Sequence, residues 1–165
     1  MPGAILQTPA LLTMETDTLQ SREKEPVLQF SVFADNKVGR LNELVQRLAQ
    51  NDIHIIGLSQ LDSTECTIMR IIPDYPEPAR ELLHEYGYSF TETPILAVEI
   101  NTEADLKFVT AALVEAEINI HYLYPFIMRP KSRYAIAMNV EDNEFAESVL
   151  HSRQIRCLSR LDIAR

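Results

Sequence analysis

The stretch FADNKVGRL, residues 33–41, has residue types that could bind a small molecule. It joins an apolar run to a helix-like pattern, and it holds one of only 4 glycines in 165 residues. Nucleotide-binding loops of the GxGxxG or GxxxxGK(S/T) type need several glycines, because the backbone must approach phosphate closely. Gly39 stands alone, so the sequence argues against a nucleotide loop. A plain turn and another kind of ligand site both stay open.

Side chains that commonly carry catalysis or bind metals form no recognisable pattern in this sequence. The histidines are far apart, none pairs with another at i, i+4, and none has a Cys or Asp at metal-ligand spacing. No GxSxG motif occurs, and no cysteine lies beside a His-rich segment. We therefore predict a protein that is not an enzyme, with no catalytic residues, no metal and no cofactor.

Charge and hydropathy narrow the possible partners further. The chain has 15 Lys+Arg against 24 Asp+Glu, a formal net charge of -9, which argues against binding to nucleic acid or anionic lipid. No stretch reaches the 18 or more apolar residues that a membrane span needs. Cys66 and Cys157 form no disulfide framework, and we expect two small buried side chains in a reducing compartment. These features predict a cytoplasmic protein that contacts neither nucleic acid nor membrane.

The loop at 33–41 lies between a predicted strand and a predicted helix that begin a longer pattern. Period-two alternation predicts strands, and the apolar stripe of Leu41, Leu44 and Leu48 predicts a helix. The order over residues 27–93 is strand 27–34, helix 39–52, strand 53–61, strand 66–72, helix 77–87 and strand 88–93. Residues 1–26 contain three prolines and no sustained period, which predicts a flexible N-terminal tail.

The same βαββαβ order recurs in the second half of the chain. A shift of 65 lays residues 30–58 on 95–123, and five of the six identities are apolar. The second copy reads strand 94–100, helix 102–117, strands 118–128 and 133–140, helix 142–153 and strand 155–163. We therefore predict an α+β fold of two ferredoxin-like units, 27–93 and 94–165, each with a four-stranded antiparallel sheet and one uncovered sheet face. Pairing of the units, or of two chains, would cover that face.

Aromatic residues test the RNA-binding alternative, since the RNA-recognition motif shares this topology. That motif needs aromatic side chains on its central strands to stack bases. The strand CTIMRII has none, and RYAIAMNV has Tyr134 alone. Tyr122, Tyr124 and Phe126 form a period-two row, which we interpret as packing between sheet faces or units.

The segment DNKVGRLNELVQRLAQNDIHIIGL, inside one βαββαβ unit and followed by a degenerate second copy, resembles an ACT domain. ACT domains are small-molecule-sensing modules of amino-acid-metabolic enzymes such as phosphoglycerate dehydrogenase, and they occur in the small subunit of acetolactate synthase. Asn36, Gly39 and Leu41 match the family's Asn-x-x-Gly-x-Leu loop, and His54 takes the place of a polar residue that opens the second strand. The resemblance covers about residues 27–163.

The resemblance implies a free amino acid as ligand, bound at an interface between ACT units. The helix N-terminus would receive its carboxylate, Gly39 would let it approach, and Asp35 would take its ammonium group. The predicted ligand-binding residues are Asp35, Asn36, Val38, Gly39, Arg40, Leu41 and His54. Alternatively, Asp35 or Asn36 shapes the turn or caps the helix, Gly39 relieves crowding, His54 is a strand surface residue, and Lys37 and Arg40 are solvated.

The second copy departs from the loop pattern, because Ala104 replaces the glycine and Asp105 follows it. An acidic group at the helix start would repel a ligand carboxylate, so we expect the second unit to be mainly a structural partner. The leading hypothesis is a non-enzymatic amino-acid sensor that forms a homodimer or associates with an amino-acid biosynthetic enzyme. The alternatives are a ligand-free interaction module and a regulatory subunit of acetolactate synthase.

Overall fold

The computed structural model describes residues 25–165, so most of the predicted tail, 1–24, lies outside the described residues. Seven strands and five helices follow one another in the order predicted from the sequence, apart from two differences given below. The strands are β1 Val27–Asp35, β2 Ile55–Asp62, β3 Cys66–Pro73, β4 Ser89–Glu99, β5 Ile120–Pro125, β6 Ala135–Val140 and β7 Cys157–Leu158. The helices are α1 Arg40–Gln50, α2 Pro76–Glu85, α3 Glu103–Glu115, α4 Asn143–Ser152 and α5 Arg160–Ile163, with a 3-10 turn at Pro130–Ser132.

The strands form one antiparallel sheet in the order β2-β3-β1-β4-β6-β5, with β7 also paired to β4. The first part of β4 pairs with β1, where Phe33 lies opposite Ser89 and Val27 opposite Ile95. Its last part pairs with β6 and β7. The two predicted strands 88–93 and 94–100 are therefore one strand shared by both units. The two ferredoxin-like units are confirmed, and β4 joins their sheets.

The two ends of the sheet approach each other, because β2 and β5 also meet. Gly57 forms a β-bridge with Phe126, and the N–H of Ile127 donates to the carbonyl of Ile56 at 2.9 Å. A Cβ on Gly57 would lie 3.3 Å from the ring of Tyr124 on β5 and 2.9 Å from the end of the Ile72 side chain on β3, both closer than ordinary carbon contacts. Glycine at this position therefore permits the close approach of the two strands.

Three apolar clusters stabilise this arrangement. One lies beneath α1 and α2, and its largest members are Phe30, Leu44, Leu48, Met69, Ile71 and Leu83. A second lies beneath α3 and α4, and it includes Val98, Val109, Leu113, Met138 and Leu150. The third fills the space between the two halves of the sheet with Val27, Ile72, Ala97, Tyr124 and Ala137. The sheet faces that the helices leave uncovered thus pack against each other, which removes apolar surface from water.

The aromatic row on β5 lies in this third cluster, as predicted: Tyr124 is buried, and Tyr122 and Phe126 pack beside it. A polar group is buried with them. Gln29 of β1 donates from Nε2 to the Tyr122 hydroxyl at 2.8 Å, and the Tyr124 hydroxyl donates to Gln29 Oε1 at 2.7 Å. These bonds link the first and second units through side chains that are satisfied by one another.

Two predictions were wrong. The predicted last strand 155–163 is only β7, after which α5 begins; the carboxylate of Asp162 accepts the Ser159 N–H at 2.9 Å and caps that helix. Cys66 was expected to be buried but is exposed, because it follows the β2–β3 turn, where its carbonyl accepts the Ser63 N–H. Cys157 is half-buried, and burial raises the pKa of its thiol to about 12. No helix within residues 25–165 is long and apolar enough to cross a membrane.

Candidate functional site

The loop predicted to bind a ligand lies at one end of the first unit. Strand β1 ends at Asp35, opposite Cys66, and α1 begins at Arg40. Asn36 donates from its side-chain amide to the carbonyl of Ser63 at 3.0 Å, which holds the loop against the β2–β3 turn. The second unit joins the first at the other end of β1, near Val27. The loop therefore projects from the end of the first unit that the second unit does not cover.

The N-terminus of α1 begins at Gly39 in a left-handed conformation, with φ 94 and ψ -8. A Cβ there would meet no atom within 4 Å, so Gly39 does not relieve crowding; its role is to supply a backbone conformation that other residues rarely adopt. No side chain caps this helix. Among residues 25–165, no acceptor bonds the N–H groups of Val38, Gly39, Leu41 or Asn42. These donors and the helix dipole make the site suited to a carboxylate.

Charged side chains surround this helix start and pair with one another. The carboxylate of Asp35 lies 2.5 Å from Lys37 Nζ and 2.5 Å from Arg40 Nε. Hydrogen bonds from Arg40, which has the larger effect, and from Lys37 hold the pKa of Asp35 well below its usual range. Arg40 also contacts Glu43 at 3.2 Å. Lys37 and Arg40 are thus ion-paired, and a ligand ammonium group would have to share Asp35 with them.

The two apolar residues of the predicted set have different environments. Leu41 is half-buried and packs against the core beneath α1, so it anchors the helix. Val38 is fully exposed. Covering an exposed apolar side chain with a ligand or another protein surface is energetically favourable.

His54 lies at the opposite end of the first sheet from the loop. It precedes β2, whose Ile55 pairs with Pro73, whereas the loop neighbours Cys66 at the start of β3. The length of β3 separates the two positions by roughly 20 Å. The structure thus brings together Asp35, Asn36, Gly39 and Arg40, and it does not bring His54 to them within one chain.

The side chains that surround His54 form a cluster that was not predicted from the sequence. The carboxylate of Asp74 is fully buried; it accepts the N–H groups of His54 at 3.1 Å and Tyr75 at 3.0 Å, and Arg165 Nε donates to it at 2.7 Å. The ring of His54 lies beside both, with Nδ1 3.6 Å from Asp74 and Nε2 3.3 Å from Arg165. Arg165 thereby ties the end of the described chain to the first unit. No short-range pattern marks a pair 91 residues apart.

The corresponding helix start in the second unit is closed by its own side chain. The carboxylate of Asp105 accepts the N–H of Asn101 at 2.7 Å and of Thr102 at 3.0 Å, as in a capping box, and these bonds lower its pKa. Helix α3 begins at Glu103, so Ala104 lies inside the helix and needs no left-handed backbone. An external carboxylate would meet the Asp105 carboxylate at this site.

A cleft of about 840 Å³ opens beside this second helix start. Its lining includes Asn101, Asp105, Phe108, Arg153 and Arg156. The cleft and the uncapped helix are thus in different units. Beside this cleft, Asp105 bonds the N–H groups of Asn101 and Thr102, whereas no side chain caps the start of α1. The described residues contain no group of three or more His, Cys, Asp or Glu side chains placed to hold a metal ion.

Solved structures share this architecture. Protein BT0572 of Bacteroides thetaiotaomicron aligns over 85% of this chain and 96% of its own, with a TM-score of 0.76 and 23% identity. The regulatory subunits of aspartate kinase from Thermus thermophilus and Thermus flavus each give a TM-score of 0.54; the identities are 17% and 18%, over 78% and 79% of this chain and 91% and 92% of theirs. At these identities the likeness shows the fold alone.

Sequence comparison identifies the family directly. No curated protein matches the chain. The family model described as the ACT domain pair matches residues 26–164, a range that contains the loop at Asp35–Leu41, His54 and all the helices and strands of both units. The resemblance seen in the loop motif and in the internal repeat is therefore confirmed over nearly the whole described chain. This protein belongs to the ACT domain pair family.

Proposed function

We propose that this chain is a non-enzymatic sensor of a free amino acid, which it binds at the loop of its first unit, residues 35–41. The observation that carries the proposal is the difference between the two helix starts. Within residues 25–165, no acceptor bonds the N–H groups of Val38 and Gly39 at the start of α1, while Asp105 bonds the equivalent pair in α3, the N–H groups of Asn101 and Thr102. An uncapped helix start offers N–H donors and partial positive charge to a ligand carboxylate.

The remaining loop residues suit the other parts of an amino acid. Asp35 is an acceptor for the ammonium group, although Lys37 and Arg40 already pair with it. Asn36 is exposed and fixed by its bond to Ser63, which would keep the loop in one shape before the ligand arrives. Val38, exposed at the loop tip, is an apolar contact for a ligand side chain. The complete site would then need a cover, since the loop projects into solvent.

A second copy of the chain is the cover that we propose. The second unit of the same chain joins at the other end of β1, so it does not reach the loop. In a homodimer, the loop of one copy could meet the His54 end of the other. The predicted ligand-binding residues would then lie together at the interface between the two copies. The ligand would thereby favour the dimer, because a ligand that binds one state better shifts the population toward it.

Regulation of a biosynthetic enzyme is the role that the relatives favour. Two of the similar structures are regulatory subunits of aspartate kinase, an enzyme whose name places it in amino-acid metabolism. We infer that this chain, when loaded with its amino acid, associates with such an enzyme in the cytoplasm. The alternatives predicted from the sequence, a regulatory subunit of acetolactate synthase and a module that docks without ligand, differ from this proposal in partner and in ligand dependence.

Thermal unfolding in the presence of each of the twenty amino acids tests the proposal. A ligand at 100 times its Kd adds about 2.7 kcal/mol to the free energy of unfolding, which for a chain of this size raises the Tm by about 5–10 °C. The variant Asn36→Ala should lose the shift, and Asn101→Ala, its counterpart in the second unit, should keep it. If no amino acid raises the Tm, the ligand-free docking module becomes the better account. If Asn101→Ala alone abolishes the shift, the site lies in the second unit.

A further inference from the structure

Arg70 differs from the other arginines of residues 25–165. Eight of the ten arginines in the described chain, Arg40, Arg47, Arg80, Arg133, Arg153, Arg156, Arg160 and Arg165, pair with carboxylates. Arg70 and Arg129 pair with none of the acidic side chains in residues 25–165. Arg129 is exposed, so water can satisfy it, whereas Arg70 is half-buried and its Nε is fully buried without an acceptor. A buried donor left without a partner costs free energy. The Nη groups of the same guanidinium have no acceptor within residues 25–165 and are not among the buried unpaired atoms, so they are the donors that a ligand can reach.

The guanidinium of Arg70 lies over an aromatic ring of the second unit and between two serine-bearing strands. Its guanidinium carbon lies 3.9 Å from the centre of the Tyr122 ring, so the two planar groups are in contact across the two units. Stacking uses the face of the guanidinium, while its N–H donors lie in its plane. Ser31 and Ser59 are its register partners on the neighbouring strands and share its sheet face. These neighbours are neutral, so no carboxylate of the described chain competes for the donors.

An apolar row continues from Arg70 along the same face. Ile68 lies two residues earlier on β3, with Phe33 opposite it on β1 and Leu61 opposite it on β2. Phe33 is 38% exposed and Leu61 52% exposed, so the row is open to solvent. Its distance from Arg70, two residues along a strand, is about 7 Å. A cation at one end of an apolar strip matches a molecule with an anionic head and an apolar body.

We propose that Arg70 and this apolar row form a second ligand site, which binds a monocarboxylic acid with an apolar chain. The carboxylate accepts in-plane N–H bonds from the Nη groups of Arg70, with the Ser31 and Ser59 hydroxyls beside it, and the chain lies on Leu61, Ile68 and Phe33. The site is separate from the amino-acid site at the α1 N-terminus, because it uses the inner face of the sheet and side-chain donors. Its ligand bridges β1, β2 and β3 beside Tyr122 of the second unit, so binding would report on how the two units pack.

Calorimetric titration of the full chain with octanoate tests this site. We expect saturable binding at one octanoate per chain, with 1-octanol, which has the same tail and no charge, bound at least tenfold more weakly. Arg70→Gln should weaken octanoate binding at least tenfold, as the loss of a hydrogen bond to a charged group does. Leu61→Ser, an exposed change that does not threaten folding, should also weaken it. Arg129→Gln is the matched control, because Arg129 stacks on Tyr134 at 4.0 Å without an ion pair, and it should change nothing.

Several outcomes would overturn the proposal. These are an absence of saturable binding, equal affinity for octanoate and octanol, and equal weakening by Arg129→Gln. If Arg70→Gln halves the mass measured by light scattering, the surface is an interface with a second copy and the ligand assignment is wrong. Asn36→Ala should leave octanoate binding intact, so a failure of the amino-acid site and a failure of this site give different results.

Discussion

The substitution Asn42→Asp should abolish amino-acid binding while stabilising the free protein. Asn42 is exposed and is the third residue of α1 after its N-cap, the position that Asp105 holds in α3. A carboxylate there would lie beside the unbonded N–H groups at the helix start and occupy the site that we assign to the ligand carboxylate. The change copies, in the first unit, the feature that we expect to close the second.

The expected magnitudes follow from helix electrostatics. An acidic residue in the first turn stabilises a helix by about 0.3–1 kcal/mol. The ligand carboxylate would lose hydrogen bonds that it accepts from the helix N–H groups; a hydrogen bond to a charged group is worth about 1.5–3 kcal/mol, which is a 10- to 150-fold loss of affinity. Repulsion between two carboxylates about 4 Å apart adds roughly 1 kcal/mol even in bulk water. Stability and binding are therefore expected to move in opposite directions.

Urea unfolding and calorimetric titration with the amino acid found in the thermal screen measure the two effects. Gln46→Glu is the control, since it adds the same charge to an exposed position in the middle of α1 and should leave affinity unchanged. If Asn42→Asp binds the amino acid as tightly as the unchanged protein, the ligand carboxylate does not lie at the α1 N-terminus. If both variants lose affinity equally, net charge is the cause and the site assignment loses its support.

Three further predictions concern the join between the units and the thiols. Gln29→Leu should lower the free energy of unfolding in urea by about 2–4 kcal/mol, because it leaves the buried Tyr124 hydroxyl and the half-buried Tyr122 hydroxyl without their partner. Tyr124→Phe should cost less in the Gln29→Leu variant than in the unchanged protein, and equal costs would refute the coupling. Gly57→Ala should cost about 1–3 kcal/mol by the same assay, since its Cβ would lie 3.3 Å from the Tyr124 ring on β5 and 2.9 Å from the Ile72 side chain; a neutral result would mean that β2 and β5 are not held this close. A thiol reagent at pH 8 should label Cys66 quickly and Cys157 only on unfolding. Rapid labelling of both cysteines in the folded protein would contradict this. Because burial raises the pKa of Cys157 from 9.0 to about 12, the contribution of its buried thiol to stability should be present below pH 9 and be lost as the pH rises toward 12.

Local patterns explain why the order of elements could be predicted. The apolar stripe of α1 places Leu44 and Leu48 in the core, as its spacing indicates. Thr102 and Asp105 mark the start of α3 because a capping box involves residues only three apart. The loop residues Asp35, Asn36, Gly39 and Arg40 are neighbours in sequence, so their proximity followed from the strand–loop–helix prediction.

Long-range contacts explain what could not be predicted. The bonds between Gln29 and the tyrosines of β5 join residues more than 90 positions apart, and so does the bond of Arg165 to Asp74. The replacement of the last predicted strand by α5 depends on where β7 meets β4, which no local period encodes. The position of His54 depends on strand pairing for the same reason.

The backbone explains why the first copy has a glycine at position 39 and the second copy has an alanine at the aligned position. The shift of 65 aligns Gly39 with Ala104. Helix α1 begins at Arg40, one residue after Gly39, whereas α3 begins at Glu103, one residue before Ala104. Only the first copy needs a left-handed residue, because its helix starts two positions later in the alignment. The glycine therefore indicates a longer loop in the first copy, and the uncapped helix start that this loop creates is the stronger argument for a ligand.

Amide chemical shifts report directly on whether the α1 N-terminus receives an amino-acid carboxylate. We predict that NMR titration of the full chain with the stabilising amino acid shifts the backbone amides of Val38, Gly39, Leu41 and Asn42 most, because those N–H groups would gain an acceptor. The amides of Asn101 and Thr102, already bonded to Asp105, should stay in place. Shifts that centre on Asn101 and Thr102, or a loop that does not respond while the ligand binds, would contradict the account.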